Sequence, residues 1–273
     1  MERNYIAAPT AAIHERSVDK HRQKERNQKK QHHKMTRNSN KSNSSSFSFN
    51  DPLLIGGVIS FIILIVTFQI MIAKVGLSNE SKRRFQHAIT GHALVQVSYV
   101  LPYLFCIVAL SIGAIGFLVA RTYYQAWFYS TFGPLLRPNE LNGNVLPGAF
   151  YFLIGTVISA LIAGENQIYL ARYAVECLAI ADPVASYIGS TISSPNICKG
   201  SSVSGSTACF ITAVLVGIVM LGYNGTDNNN DISWTQLLLG ALSCTIAEAL
   251  PYGNDNLNIP IATTLAVLLT GER

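Results

Sequence analysis

The chain has 273 residues, 49% hydrophobic and only 13% charged, where a soluble domain usually carries roughly 25% charged residues. That balance excludes an ordinary water-soluble globule, a coiled coil and a chain disordered throughout. Residues 1–50 hold 11 Lys/Arg and 4 Asp/Glu, whereas residues 51–273 hold 9 and 11, so the net +5 belongs to the tail and gives the folded part no reason to bind nucleic acid.

In chain order, residues 1–50 read as a disordered basic tail, because the Ser/Asn-rich run before Asp51 has too few large apolar residues to bury a core. No apolar stretch in the first 30 residues resembles a secretory leader. An organelle-targeting segment stays open, although Glu2, Glu15, Asp19 and Glu25 weigh against it. From residue 51 onward apolar runs repeat at 53–75, 148–164, 166–181, 206–223, 232–250 and 257–270. About 20 helical residues cross a bilayer. The stretch 86–120 is too long for one crossing, and Pro102 disfavours a continuous helix. It reads as two short helices, about 86–101 and 104–120. The expected fold over 51–273 is therefore an all-α, polytopic integral membrane bundle of eight transmembrane segments, with seven as the alternative.

Eight segments place the polar stretches 76–85, 121–147, 182–205 and 251–256 on one face of the lipid bilayer. Which face is open: the basic tail and the loop cations vote oppositely under the positive-inside rule. Endoplasmic reticulum and plastid membranes both fit. The cysteines (Cys106, Cys177, Cys198, Cys209, Cys244) form no CxxC and mostly sit in or beside apolar runs. They read as buried, unpaired packing and not as a zinc site.

Four polar clusters could carry chemistry. Lys82, Arg83 and Arg84, followed by His87, open a helix; they suit either lipid head groups or a phosphate. Asp182 ends an apolar run beside small residues, as a carboxylate for Mg²⁺ and phosphate would. Arg172 and Glu176, one turn apart before it, are expected to pair with each other. The Gly/Ser stretch around Lys199, Ser202, Gly205 and Ser206 opens the next apolar segment, where free N–H groups can face an anion. Glu248, Asp255 and Asn256 sit at one helix end and the next helix start; Asp255 could simply cap that helix. Any one cluster is a weak signal, but all four fall on the same face.

Together these pieces resemble the membrane-bound CTP-dependent polyprenol kinases, most closely the phytol and farnesol kinase branch. Arg83, Arg84, His87 and Gly91 match the family's R-[KR]-x-x-H-x-x-x-G block. Glu140-Leu141 and Gly148-Ala149-Phe150-Tyr151 look like a stretched E-L-L-x-G-P-L-Y-Y block. Asp182, Ala185 and Gly189 match D-G-x-A-x-x-x-G, with Pro183 in place of the first Gly. Ser202, Gly205 and Ser206 match K-[ST]-x-x-G-S, with Ser201 where the family has Lys and Lys199 the nearest cation. Glu248, Asp255, Asn256, Leu257 and Pro260 match the closing E…D-N-L-x-x-P block. The matches run in order over residues 53–271.

The resemblance implies transfer of the γ-phosphoryl group of CTP to the hydroxyl of an isoprenoid alcohol such as phytol or farnesol. It implies Mg²⁺ as cofactor, with Asp182, Asp255 and Glu248 as metal ligands and the two aspartates catalytic. Arg83, Arg84, His87, Gly189, Lys199, Ser202, Gly205, Ser206 and Asn256 would hold the nucleotide phosphates. Alternatives are a lipid cytidylyltransferase, a CTP-dependent diacylglycerol kinase and, from another class, a transporter or inactive relative. No internal repeat of the transporter kind is visible.

Overall fold

The computed structural model describes residues 52–143, 145–198, 200–224 and 232–271. The basic tail and Lys199 lie outside the described residues. The chain divides into two units, Met1–Val58 and Ile59–Arg273, and the second holds all of the helical fold beyond its first turns.

The described residues form an all-α fold. Helix α1 (Pro52–Lys74) is followed by α2 (Asn79–Ser98) and α3 (Tyr103–Tyr123). Pro102 lies between the last two as the N-cap of α3, so the expected break holds while both helices run longer than expected. Short α4 (Gln125–Phe132) and α5 (Pro138–Leu141) lead to α6 (Gly148–Ala163) and α7 (Ile168–Glu176). A π-helical turn, Cys177–Ala181, joins α7 to α8 (Asp182–Thr191). A two-stranded hairpin, β1 (Asn196–Cys198) and β2 (Ser201–Ser202), precedes α9 (Val203–Asn224), α10 (Trp234–Ala249) and α11 (Asp255–Leu269).

Among the described residues, two helices are long and apolar enough to cross a membrane: Tyr103–Tyr123 and the Val203–Leu221 part of α9. Gly148–Ala163 and Glu165–Thr191 qualify as a third crossing only if taken together, and they bend by 102° at the break. Helices α10 and α11 are shorter, with 16 and 15 residues. At 1.5 Å per residue these reach about 24 Å, less than the ~30 Å hydrocarbon core.

The core gathers on Tyr173 of α7, which is fully buried. Its hydroxyl donates to the carbonyls of Ala213 (3.2 Å) and Leu237 (3.0 Å), tying α7 to α9 and α10. The ring needs space that only glycine leaves: a Cβ on Gly240 would sit 2.6 Å from Tyr173 Cε1. All five cysteines are unpaired; Cys177, Cys209 and Cys244 are buried in this core as expected, whereas Cys106 and Cys198 are only half-buried. On the site side, a Cβ on Gly155 of α6 would lie 2.5 Å from the Asn256 carbonyl oxygen. That close approach sets the start of α11 against α6.

Two local expectations are overturned. Glu176 does not pair with Arg172 but with His92 of α2. Arg172 turns away, donating to Ser98 Oγ (2.9 Å) and to the Ser98 carbonyl, with its guanidinium 4.0 Å over the Tyr99 ring. The helices bring a partner from 84 residues away, and that contact displaces the local pairing. The cap of α11 is Asn254, whose side chain accepts from the Asn256 N–H (3.1 Å), and not Asp255. Asp255 is thereby left free at the first helical position.

Candidate functional site

A cavity of about 740 Å³ opens among the ends of the helices. Each polar stretch singled out in the sequence contributes to its wall: Arg83, Arg84 and His87 from α2, Asp182 and Gly189 from α8, Ser202 and Gly205 from the hairpin and α9, and Glu248, Asp255 and Asn256 from α10 and α11. Residues 100 or more apart in sequence therefore share one chamber. Ser206 lies just behind it, its hydroxyl 2.9 Å from that of Ser201, a lining residue.

The helix α2 begins with Ser78 as N-cap, its hydroxyl accepting from the Ser81 N–H (3.2 Å). The three adjacent cations then separate by direction. Lys82 is buried and donates to the Ala73 carbonyl (2.9 Å) at the end of α1, so it caps a helix and leaves the site. Arg83 and Arg84 both reach Glu80, at 2.8 and 3.1 Å. Arg84 also crosses to α8, donating to Ser186 Oγ (3.0 Å), the Ser186 carbonyl (3.1 Å) and Ser190 Oγ (3.4 Å). Burial and the nearby charge of Arg137 lower the pKa of Arg83, against the opposing pull of Glu80, Asp182 and Glu140.

Asp182 does not end its helix, as the sequence suggested; the chain runs on through Pro183 to Thr191. A proline inside a regular α-helix clashes with the carbonyl four residues earlier. Here the wider π turn Cys177–Ala181 lies just before it, a form often found at functional positions. Asp182 stays on the cavity wall, within electrostatic reach of Arg137, Arg83 and Arg84. Asp255 feels the same Asp182 charge, and burial with that repulsion pushes its pKa up to about 6 despite Arg137 and Arg83. Glu248 interacts with both aspartates, and Ser201 Oγ lies 3.4 Å from its carboxylate.

The sequence reading missed Arg137 as a site residue. A cue was present, since it is the lone cation between Arg121 and Arg172 and directly precedes Pro138. Its position is fixed through Glu140, a buried carboxylate. Glu140 accepts from the Arg137 N–H (2.8 Å) and from the Gly148 N–H (2.9 Å). The Gly148 carbonyl in turn accepts from Asn256 Nδ2 (2.8 Å). The stretched block at Glu140 and Gly148 and the block at Asp255-Asn256 are thus one connected clamp, in which Asn256 ties α11 to α6.

Several phosphate-binding expectations take a different form. Ser202 Oγ accepts from the Gly205 N–H (3.2 Å), so that donor at the start of α9 is already bound. Gly189 and Gly205 face each other: a Cβ on Gly189 would meet Ser202 Oγ at 2.9 Å and Gly205 Cα at 3.4 Å. Their smallness brings α8 against α9. Gly200 takes a φ of +100° in the hairpin turn, a conformation glycine adopts without penalty.

Among the described residues, no three His, Cys, Asp or Glu side chains are placed to hold a metal ion by themselves. The expected trio of Asp182, Asp255 and Glu248 shares the cavity without forming a ready-made set. Two or three carboxylates within electrostatic reach do fit a Mg²⁺ ion that takes its other oxygens from phosphate and water.

No protein-family model matches the chain, and no solved structure matches it. A 148-residue stretch is 26% identical to the uncharacterized protein RP860 of Rickettsia prowazekii, covering 50% of this chain and 66% of that protein. A 134-residue stretch is 28% identical to a probable chloroplastic phytol kinase of Triticum aestivum, covering 46% of this chain and 44% of that protein. The matches thus span from under half to about two thirds of these curated relatives.

Proposed function

We propose that the protein is a membrane kinase that transfers the γ-phosphoryl group of CTP to an isoprenoid alcohol of the phytol or farnesol type. The observation that carries this reading is that one cavity is lined both by Arg83, Arg84 and Arg137 with Asp182, Glu248 and Asp255 and by aromatic and aliphatic side chains. The distant likeness to a probable phytol kinase supports the same class of reaction.

Phosphoryl transfer asks for positioning and charge neutralisation more than for covalent help from the protein. Arg83, Arg84 and Arg137 are the cations for the phosphate oxygens, and Arg84 is held in advance by Ser186 and Ser190. Asp182 and Asp255, with Glu248 nearby, would hold Mg²⁺, which when bound neutralises phosphate charge. Burial, with the Asp182 charge added to it, raises the Asp255 pKa, so a cation beside the carboxylates relieves a built-in cost. The alcohol reaches its place from the lipid, and its hydroxyl meets the nucleotide where the apolar and charged walls join. In the reaction the alcohol oxygen bonds to the γ-phosphorus, the bond to the bridging oxygen breaks, and CDP leaves.

The test is incubation of membranes carrying the protein with labelled CTP or ATP and a panel of phytol, farnesol, geranylgeraniol, dolichol and diacylglycerol. A prenyl monophosphate formed from CTP is the expected product. Label in diacylglycerol alone, a cytidylylated lipid, or no transfer to any acceptor would each overturn the proposal.

A further inference from the structure

The same cavity has an apolar wall that the phosphate chemistry leaves unused. Val66 of α1, Phe117 of α3, Phe132 at the end of α4, Leu135 just beyond it, and Phe152 and Leu153 of α6 all line it. The two outer rings are fixed in place: Phe117 and Phe132 both pack on the fully buried Phe128, with centroids at 5.0 and 5.3 Å. Helix α2 connects this wall to the charged one. Arg83 and Arg84 sit among the charges. One turn on, the His87 ring packs edge-on against Phe152 (5.0 Å, 78°), and its Nε2 is buried without a hydrogen-bond partner. Another turn on, Thr90 also lines the cavity, and its Oγ1 is buried and unpartnered as well. A threonine hydroxyl in a helix ordinarily returns its proton to a carbonyl of the preceding turn. A buried hydroxyl left unpaired is destabilising, and a bound polar group would relieve that.

We infer that His87 and Thr90 form the subsite for the acceptor hydroxyl, with its hydrocarbon chain laid along Phe117, Phe132 and Leu153. This rests on the proposed phosphoryl transfer for its chemistry, but the placement of an amphiphile with one hydroxyl follows from the cavity itself. The Thr90 hydroxyl hydrogen-bonds the alcohol oxygen and orients it. A ring nitrogen of His87 takes the alcohol proton as the oxygen–phosphorus bond forms and the bond to the CDP oxygen breaks; the imidazolium then releases that proton to water. Arg83 and Arg84, one turn away, lie on the phosphate side of the new bond. The ring needs no metal to do this, which separates its role from that of Asp182 and Asp255.

The test pairs kinetics with labelling that needs no turnover. The purified full chain in detergent is irradiated with a diazirine-bearing farnesol and, separately, with a diazirine-bearing diacylglycerol, and the labelled peptides are mapped. Farnesol label on peptides containing Phe117, Phe132 or Phe152, lowered at least fivefold in Thr90→Val, is the expected result. In kinetics, Thr90→Val raises the KM for the alcohol about tenfold and leaves that for CTP unchanged. His87→Gln lowers kcat at least a hundredfold with both KM values nearly kept, since general-base help contributes about 10²–10⁴. If Thr90→Val does not fold, Thr90→Ser, which keeps the hydroxyl, and Phe132→Ala, which opens the wall toward longer alcohols, carry the test. Label elsewhere, or a rise in the CTP KM alone, overturns the subsite. Correct labelling in a protein that phosphorylates no alcohol would instead sink the proposed reaction and leave the subsite standing.

Discussion

Glu140→Gln probes how the site is held together. The Glu140 carboxylate is buried and accepts from the Arg137 N–H at 2.8 Å and the Gly148 N–H at 2.9 Å. Glutamine keeps the shape but offers one acceptor oxygen, so one N–H is left facing an amide NH₂ group. Hydrogen bonds to a charged group contribute about 1.5–3 kcal/mol. Losing one, and weakening the other to a neutral bond, costs about 2–4 kcal/mol. With about 2–4 °C per kcal/mol at this chain size, the thermal midpoint in detergent should fall by about 4–16 °C. Because the clamp fixes the backbone of Arg137, and Arg137 acts on Asp182 and Asp255, the kcat/KM for CTP should fall at least about tenfold, equivalent to about 1.4 kcal/mol. Glu140→Asp, too short to span both donors, should give a similar loss. Differential scanning fluorimetry and initial-rate kinetics read both quantities. An unchanged midpoint together with unchanged CTP kinetics in Glu140→Gln would refute the clamp.

Asp182→Asn should remove most activity while the protein still inserts into membranes; near-normal turnover at saturating Mg²⁺ would contradict its metal role. Asp182 and Asp255, each buried with its pKa raised to about 6, together set a pH dependence. Mg²⁺–CTP binding needs the ionised form and should weaken as pH falls through 6, so a CTP KM that is flat from pH 5 to 7.5 would count against it. In the ligand-free protein the sign is opposite: with the folded pKa values above the unfolded ones, the pair's contribution to stability is present below about pH 4 and lost as pH rises through 6, which melting curves against pH can follow. Gly155→Ala places a Cβ 2.5 Å from the Asn256 carbonyl oxygen and 3.0 Å from Pro260 Cγ. That clash with backbone should cost about 1–3 kcal/mol and lower activity by shifting Asp255; a melting midpoint equal to the parent's would show that α11 yields freely. A double-mutant cycle between His92→Ala and Glu176→Ala should show coupling of at least about 0.5 kcal/mol, and one between Arg172→Ala and Glu176→Ala none; the reverse pattern would restore the local pair.

Much of the site was legible because its chemistry is written in short blocks. A charged or amide side chain at the edge of an apolar run has few bland uses, and so Arg83, Arg84, Asp182, Glu248, Asp255 and Asn256 stood out before any fold was known. The two helices on either side of Pro102 and the unpaired cysteines in the core followed from local rules as well: a proline's missing N–H and the apolar setting of each thiol. The match to a kinase-like order of blocks also came from the sequence.

Contacts between distant segments decided the rest. Nothing near Glu176 in sequence points to His92, and the local candidate Arg172 lost to it because α2 packs on α7 and the π turn. Arg137 became a site residue only when Glu140 bound both ends of its loop, and Lys82 left the site only because α1 ended within reach of its ammonium. Likewise, Ser202 and Gly205 read as free phosphate donors until the hairpin folded one onto the other. Segment composition shows which helices are apolar. Whether a 15- or 16-residue helix crosses a bilayer depends on its tilt and its neighbours, which short-range preferences do not encode. Residue type and spacing therefore determined the chemistry available to this protein. Tertiary packing assigned each group its partner, because a buried polar atom takes the partner that the fold brings within hydrogen-bonding distance, wherever that partner lies in the chain.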